Sequence, residues 1–135
     1  MELHGDGPTL PDAFSRIALA LFAAAAGDPG SLGETEVREV RAHGPDLAAL
    51  LWRWLDECLY VHEVEGFACR SIEFVVFDHG PGAGGEPLRI HAFLRGEPID
   101  PGRGEAGARI RGISAQGLSV EARADGFRVE AVVDL

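Results

Sequence analysis

The longest regular pattern of apolar residues lies between Pro45 and Gly66. Its apolar positions recur every three or four residues, at Leu47, Leu50, Leu51, Trp54, Leu55, Cys58 and Leu59. Charged residues occupy the opposite positions, as is typical of a helix that buries one face. Pro45 and Asp46 suit a helix start, and Gly66 suits a helix end. The pattern predicts an amphipathic helix with Trp54 in the core and Trp52 at the margin of the buried face.

A second helix is predicted near the N-terminus. Thr9 suits the N-cap position, with an acid, Asp12, three residues later. Apolar residues then follow helical spacing at Leu10, Phe14, Ile17 and Leu21. The turn-forming segment from Gly27 to Gly30 ends the pattern, so the helix should run from about Leu10 to Ala25.

The remaining regular segments have the alternation or the β-branched and aromatic content of strands. They are Met1–Asp6, Thr35–His43, Phe67–Phe77, Leu88–Leu94, Arg109–Ser114, Leu118–Arg123 and Phe127–Leu135. Asp125-Gly126 is a hairpin signal between the last two. The order strand, helix, strand, helix and five strands predicts one α+β domain over residues 1–135. Its sheet should be mostly antiparallel, with two helices packed on one face.

The periodicities of helix and strand also predict which residues meet in the core. The central helix should contribute Leu50, Trp54, Leu55 and Cys58. The sheet should contribute Ile72, Phe74, Val76, Ile90 and Val129. In the strand that begins at Leu88, alternation directs Arg89, His91, Phe93 and Arg95 to the opposite, outer face.

Composition adds a strong negative charge to this picture. The 135 residues include 22 acids and 12 bases, for a formal net charge of −10 at pH 7. Such a chain repels nucleic acid unless its bases cluster, so direct nucleic-acid binding is not expected. An acidic surface suits a basic protein or a cation, and solubility alone is the simpler explanation.

Cysteine usage and hydropathy favour a cytoplasmic protein with no membrane partner. Cys58 and Cys69 form no metal or redox motif, and both are expected to be reduced packing residues. The longest apolar run, from Ile17 to Ala26, is too short to span a bilayer.

No set of catalytic residues is evident in the sequence. The serines lack a nucleophile elbow, and neither H-E-x-x-H nor C-x-x-C occurs. The five histidines share no metal-ligand spacing. His62 follows Cys58 by one turn on the helix stripe, and we expect it to be a packing or surface histidine rather than a ligand.

Basic residues cluster late in the chain, at Arg89, Arg95, Arg103, Arg109 and Arg111. The first two share a face of their strand, and the last two share a face of theirs. On neighbouring strands they would form a basic patch able to hold phosphate or carboxylate. A solvated outer sheet face is the simpler alternative.

If Leu135 is the native C-terminus, its terminal carboxylate lies next to the side-chain carboxylate of Asp134. Paired hard oxygens of this kind can hold Ca²⁺ or Mg²⁺. These ions want six or more oxygens, so other ligands are needed, and a solvated tail is the simpler alternative.

Several motifs along nearly the whole chain occur together. They are G-x-T-L-x-D-A-F from Gly7 to Phe14, the D-L-x-x-L-L-x-x-W-L-x-E-x-L-Y helix from Asp46 to Tyr60, Arg95-Gly96-Glu97-Pro98 with Asp100, and the ending G-L-x-V, D-G-F and V-V-D-L. In this order they resemble the archease family.

The resemblance implies a small cytosolic α+β protein that assists the tRNA-splicing RNA ligase. That ligase joins ends bearing a 3′-phosphate or 2′,3′-cyclic phosphate to 5′-hydroxyl ends. The family promotes guanylylation and multiple turnover of the ligase without ligating RNA, so the chain is not expected to be an enzyme. The resemblance also implies a Ca²⁺ or Mg²⁺ ion at Asp134 and Leu135. We also predict a surface that binds a partner protein or an anion, formed by Arg95, Asp100, Arg103 and Arg111.

The chain departs from the family pattern at positions that matter for the cation. The family opens with a strand motif like H-T-A-D-V-G, whose Asp is a metal ligand. Here Met1 follows the position of that Asp, and Asp6 is not in register to replace it. Two family histidine positions correspond to Gly104 and to Ser114–Gln116, and a family Lys corresponds to Arg111. We therefore expect the cation to bind weakly.

Three hypotheses about function remain open at this point. The first is an archease-like accessory protein that activates an RNA ligase and binds a cation. The second is a small phosphate-ester hydrolase or transferase, which the lack of a base–nucleophile set weakens. The third is an interaction module that keeps the fold without the metal site. An upstream segment like H-T-A-D would favour the first over the third.

Overall fold

The computed structural model describes residues 1–27, 33–78, 87–99 and 109–135, and these form two helices and seven strands. The helices are α1 (Leu10–Ala26) and α2 (Leu47–Glu65). The strands are β1 (Glu2–Gly7), β2 (Glu36–Gly44), β3 (Phe67–Asp78), β4 (Leu88–Pro98), β5 (Gly112–Ile113), β6 (Ser119–Arg123) and β7 (Gly126–Asp134). The predicted α+β class and the order of elements are confirmed.

Both helices begin at capping side chains. The hydroxyl of Thr9 accepts a hydrogen bond from the backbone N–H of Asp12 at 3.2 Å. Asp46 caps α2 by accepting a hydrogen bond from Ala49 N at 2.8 Å, and Gly66 ends this helix in the left-handed region. Each cap satisfies a backbone donor that has no partner within the helix. Neither helix is long and apolar enough to cross a membrane.

The strands are antiparallel and divide between two sheets. In one sheet β7 lies between β1 and β5, and it also pairs with β6. In the other sheet β4 is the central strand between β2 and β3. Helix α1 contacts β1, β7 and β3, and α2 contacts β2, β4 and β5, so each helix packs against strands of both sheets.

The core forms where the helices meet these sheets. All four predicted residues of α2 are buried, as are Ile90 and Val129, while Ile72 and Phe74 pack against the core at its margin. The indole of Trp54 lies 5.2 Å from the ring of Phe74 and donates to the carbonyl of Phe14 at 3.0 Å. The prediction that Trp54 is a core residue is therefore confirmed.

One core prediction, that of Val76, is wrong because β3 contains a β-bulge. The register of β3 against β4 shifts between Phe74 and Val76, so Val76 lies opposite the outward-facing His91. Phe77 takes the inward position instead, and its ring meets those of Phe14 and Phe74 edge to face, at 5.0 and 5.3 Å. A bulge adds one residue to one strand and so reverses the alternation beyond it.

The two cysteines and His62 have structural roles, as the sequence indicates. Cys58 and Cys69 are free and buried. Burial raises the pKa of the Cys58 thiol and raises that of Cys69 to about 12, so both stay protonated and are poor nucleophiles at neutral pH. His62 Nδ1 lies 3.2 Å from the carbonyl of Phe67, and its ring packs edge to face on Phe22.

Trp54→Ala should lower the free energy of unfolding by about 3–5 kcal/mol, because it leaves a large cavity between α2 and β3. Denaturant unfolding measures this change. The matched control is Val75→Ala, since Val75 is 49% exposed and its truncation should cost less than about 0.5 kcal/mol. A loss below about 1 kcal/mol for Trp54→Ala would contradict its place in the core.

Candidate functional site at the chain ends

The first and last strands of the chain lie side by side. β1 pairs with β7 from Glu2 opposite Val132 to Gly7 opposite Phe127. The ammonium of Met1 donates to the carbonyl of Val133 at 3.0 Å, and the N–H of Val133 donates to the carbonyl of Met1 at 2.8 Å. The N-terminus therefore lies directly beside the C-terminal carboxylates.

The short strand β5 brings Arg111 to the same place. Gly112 pairs with Asp134, and the backbone N–H of Arg111 donates to the carbonyl of Asp134 at 2.7 Å. The indole N–H of Trp52 donates to the carbonyl of Ile113 at 2.9 Å, which fixes β5 to α2. Trp52 is half-buried at the edge of the helix stripe, as predicted, and this hydrogen bond gives it a second role.

Exposure and charge make the chain ends accessible to an ion or a protein. Asp134, Leu135, Arg111 and Met1 are all exposed. In β7 the buried residues are Val129, Ala131 and Val133, so Asp134 has the parity of the outer face. Asp134, Leu135, Met1 and Arg111 therefore lie at one edge of the fold, with Met1 and Arg111 on the two sides of β7.

The oxygen atoms at the chain ends are of the type that a hard cation prefers, but they are fewer than such an ion needs. The oxygens of Asp134 and Leu135 are those that Ca²⁺ and Mg²⁺ prefer. Within the described ranges, no group of three or more His, Cys, Asp and Glu residues is placed to hold a metal ion. The residues present therefore fit only a weak cation site.

The predicted partner or anion surface is not assembled on one sheet. Arg95 lies on β4 and pairs with Glu73 at 2.9 Å, whereas Arg111 precedes β5 in the other sheet. Arg89, also on β4, pairs with Asp78 at 3.0 Å. The arginines are separated because β5 pairs with β7 and not with β4. Asp100 and Arg103 lie outside the described residues.

The R-G-E-P motif has a structural role in the part that the structure describes. A Cβ on Gly96 would lie 1.9 Å from the carbonyl oxygen of Ala68, so only glycine allows β3 and β4 to approach this closely. The carboxylate of Glu97 accepts a hydrogen bond from the backbone N–H of Gly33 at 3.2 Å. The motif therefore joins β4 to β3 and to the segment before β2.

Comparison with known proteins finds one family. The model of the Archease protein family (MTH1598/TM1083) matches residues 1–135. Protein archease of Pyrococcus abyssi is 31% identical over 124 residues, which are 92% of this chain and 83% of that protein. A protein of Drosophila melanogaster described as archease-like is 28% identical over 141 residues, covering 100% of this chain and 84% of the relative.

Solved structures share the fold. The solution structure of Methanobacterium thermoautotrophicum protein 1598 matches with a TM-score of 0.72 and 22% identity, over 99% of this chain and 89% of that one. The crystal structure of an archease from Thermotoga maritima, described as a possible chaperone, matches with a TM-score of 0.60 and 15% identity, over 100% and 90% of the two chains. With a family match from the first residue to the last, this chain belongs to the archease family.

Proposed function

We propose that this protein is a non-enzymatic accessory factor that activates a tRNA-splicing RNA ligase by promoting its guanylylation and turnover. The observation that carries this proposal is the family match over the whole chain. The motifs behind it also have definite places in the fold. Thr9 caps α1, Trp54 fills the core, and Gly96 permits the close pairing of β3 and β4.

The chemistry of the described residues supports an accessory role. The two thiols are buried and have raised pKa values, and His62 is held by the carbonyl of Phe67. The arginines of β4 are paired with carboxylates on β3. These groups serve packing and surface ion pairing, and they do not form a nucleophile with an adjacent base.

The chain ends are the surface that we assign to the ligase and to a divalent cation. They combine exposed charge of both signs with a rigid support, because β7 is held on both sides by β1 and β5. Asp134 and Leu135 would hold the cation through their carboxylates, and the cation would neutralise their mutual repulsion. Arg111 lies beside them and can meet an acidic group of the partner.

The register explains why an upstream residue matters for the cation. Met1 is hydrogen-bonded to Val133, so a residue placed before Met1 would lie opposite Asp134. That is the position to which the resemblance assigns the metal-binding Asp of the H-T-A-D-V-G motif. A third carboxylate there would replace the ammonium of Met1 and complete one side of the site.

We predict that Ca²⁺ or Mg²⁺ binds to the 135-residue chain with a dissociation constant of roughly 10⁻³ M, as in sites that have few protein ligands. Asp134→Ala or a C-terminal tag should abolish this binding, and an added H-T-A-D segment before Met1 should tighten it. Calorimetry on the untagged protein provides the measurement. Asp125→Ala is the matched control, because Asp125 lies at the far end of β7.

Micromolar binding that survives Asp134→Ala would place the cation elsewhere in the molecule. Equal losses for Asp134→Ala and Asp125→Ala would show that the ion responds only to net charge. Either result would overturn the assignment to the chain ends.

Activation is tested with the RNA ligase of the same organism. Adding the protein should increase the rate at which GTP guanylylates the ligase and the number of ligations per ligase molecule. A charge reversal at the chain ends, Arg111→Glu, should reduce this stimulation, whereas Arg123→Glu at the opposite end of the sheet should leave it unchanged. Binding to the ligase with no stimulation would instead indicate an interaction module.

The protein should bind free RNA poorly. Its net charge of −10 opposes a polyanion, and no continuous track of bases is formed by the described residues. Filter binding of tRNA halves without ligase measures this affinity. Tight binding that weakens steeply with salt would contradict the prediction and favour direct RNA recognition.

A further inference from the structure

The outer face of the sheet β2-β4-β3 carries a compact group of basic side chains, here called the basic block. It consists of Arg41 and His43 on β2 and of Arg89 and His91 on β4. Arg41 lies opposite His91, and His43 lies opposite Arg89. Directly opposite residues of an antiparallel pair share a face and have Cβ atoms about 5 Å apart. Four basic side chains therefore stand in a square on a chain whose net charge is −10.

Two carboxylates pair with the two arginines of this block. Glu39 Oε1 accepts a hydrogen bond from Arg41 Nε at 3.0 Å, and Asp78 Oδ2 lies 3.0 Å from a terminal nitrogen of Arg89. The two arginine side chains are 70% and 61% exposed, so their remaining N–H groups are open to a ligand. These exposed pairs are weak enough to be exchanged for a stronger anion.

The two histidines of the block differ in their surroundings. His43 makes no hydrogen bond or ion pair with the described residues. His91 Nε2 lies 3.3 Å from Glu39 Oε1, but the atom is buried and no hydrogen bond is formed at that geometry. His91 therefore turns its Nε2 toward Glu39, and His43, which is exposed, is the histidine of the block that is open to a ligand.

The basic block surrounds a cavity of about 400 Å³, whose wall is completed by Val76 and Ile90. A second, more apolar cavity of about 480 Å³ adjoins it and shares His43. Ala48, Ala49, Trp52, Arg53 and Leu118 line the second cavity, and the guanidinium of Arg53 lies over the Trp52 ring, 5.5 Å from its centroid. The first cavity offers the donors of a phosphate site, and the second offers mostly apolar surface on which a nucleobase can lie.

We propose that these two cavities together bind a nucleoside monophosphate, with its phosphate at the basic block and its base in the groove beside Trp52. Arg41 and Arg89 provide charge-assisted hydrogen bonds to the phosphate oxygens, and His43 provides a further donor. One phosphate can be accepted here although a long polyanion is repelled, because a local group of charges acts within about one Debye length, roughly 8 Å. This inference goes beyond the proposed function and does not depend on it.

The test is titration of the full 135-residue chain with AMP, followed by calorimetry and by NMR of the backbone and indole N–H groups. AMP should shift the signals of His43, His91 and the Trp52 indole. Arg41→Gln and Arg89→Gln together should weaken AMP binding by about tenfold or more, the loss expected for charge-assisted hydrogen bonds. The matched control is Arg123→Gln, because Arg123 is also an exposed, ion-paired arginine on the outer face of a sheet.

Two further probes distinguish the source of the phosphate. Inorganic phosphate should shift only the signals of the basic block and bind more weakly than AMP, and adenosine should bind more weakly than AMP as well. Equal binding of AMP and inorganic phosphate would overturn the role of the groove. Equal binding of AMP and adenosine, or an equal effect of Arg123→Gln, would overturn the role of the basic block. If the double variant does not fold, the AMP affinity of the single variant Arg89→Gln provides the same test.

Discussion

The pairing of β1 with β7 is the constraint on which the rest of the structure depends. Helix α1 packs closely on β1, since a Cβ on Gly5 would lie 2.4 Å from the carbonyl oxygen of Ala13. With α1 held there, Phe14 reaches both the indole N–H of Trp54 and the ring of Phe77, so the first helix is joined to the second and to the other sheet. The same pairing brings the chain ends together. The core and the candidate cation site are therefore consequences of one strand pair.

The sequence predicts the helices well because each helix buries a continuous stripe of apolar residues. The tertiary contacts cover the same face that the helical periodicity of these residues indicates. Strand faces are harder to predict, since a single inserted residue reverses them. The bulge in β3 shows this, because Val76 and Phe77 are both apolar and the alternation alone cannot decide which one faces Phe14. The division into two sheets depends on strand pairs far apart in sequence. The two-residue strand β5 is too short to show any alternation that would reveal its pairing with β7.

The candidate site was predictable only where local sequence carried the information. Asp134 and Leu135 are neighbours in the chain, and their proximity needs no fold. Arg111 joins them through a backbone hydrogen bond that side-chain patterns do not record, and Arg95 is separated from it by the division of the sheets. The basic block could not be predicted from the sequence for a related reason. Its arginines and histidines come from β2 and β4, which are far apart in the sequence, and only the register of the two strands places them opposite one another.

These observations change how the net charge of the chain should be interpreted. A value of −10 describes the field that a long polyanion meets at a distance, where individual charges are averaged. At contact distance the local arrangement of charged groups on each sheet decides which ligand is attracted, because exposed charges farther away than a Debye length are screened. At the chain ends Asp134 and Leu135 lie beside Met1 and Arg111, whereas in the basic block Glu39 and Asp78 pair with the two arginines. The chain ends belong to one sheet and the basic block belongs to the other, and both helices pack against strands of both sheets. A substitution in the basic block should therefore leave the chain ends intact, and a substitution at the chain ends should leave the basic block intact. An acidic protein of this size can thus carry a candidate cation site at one edge and a proposed phosphate site on another face.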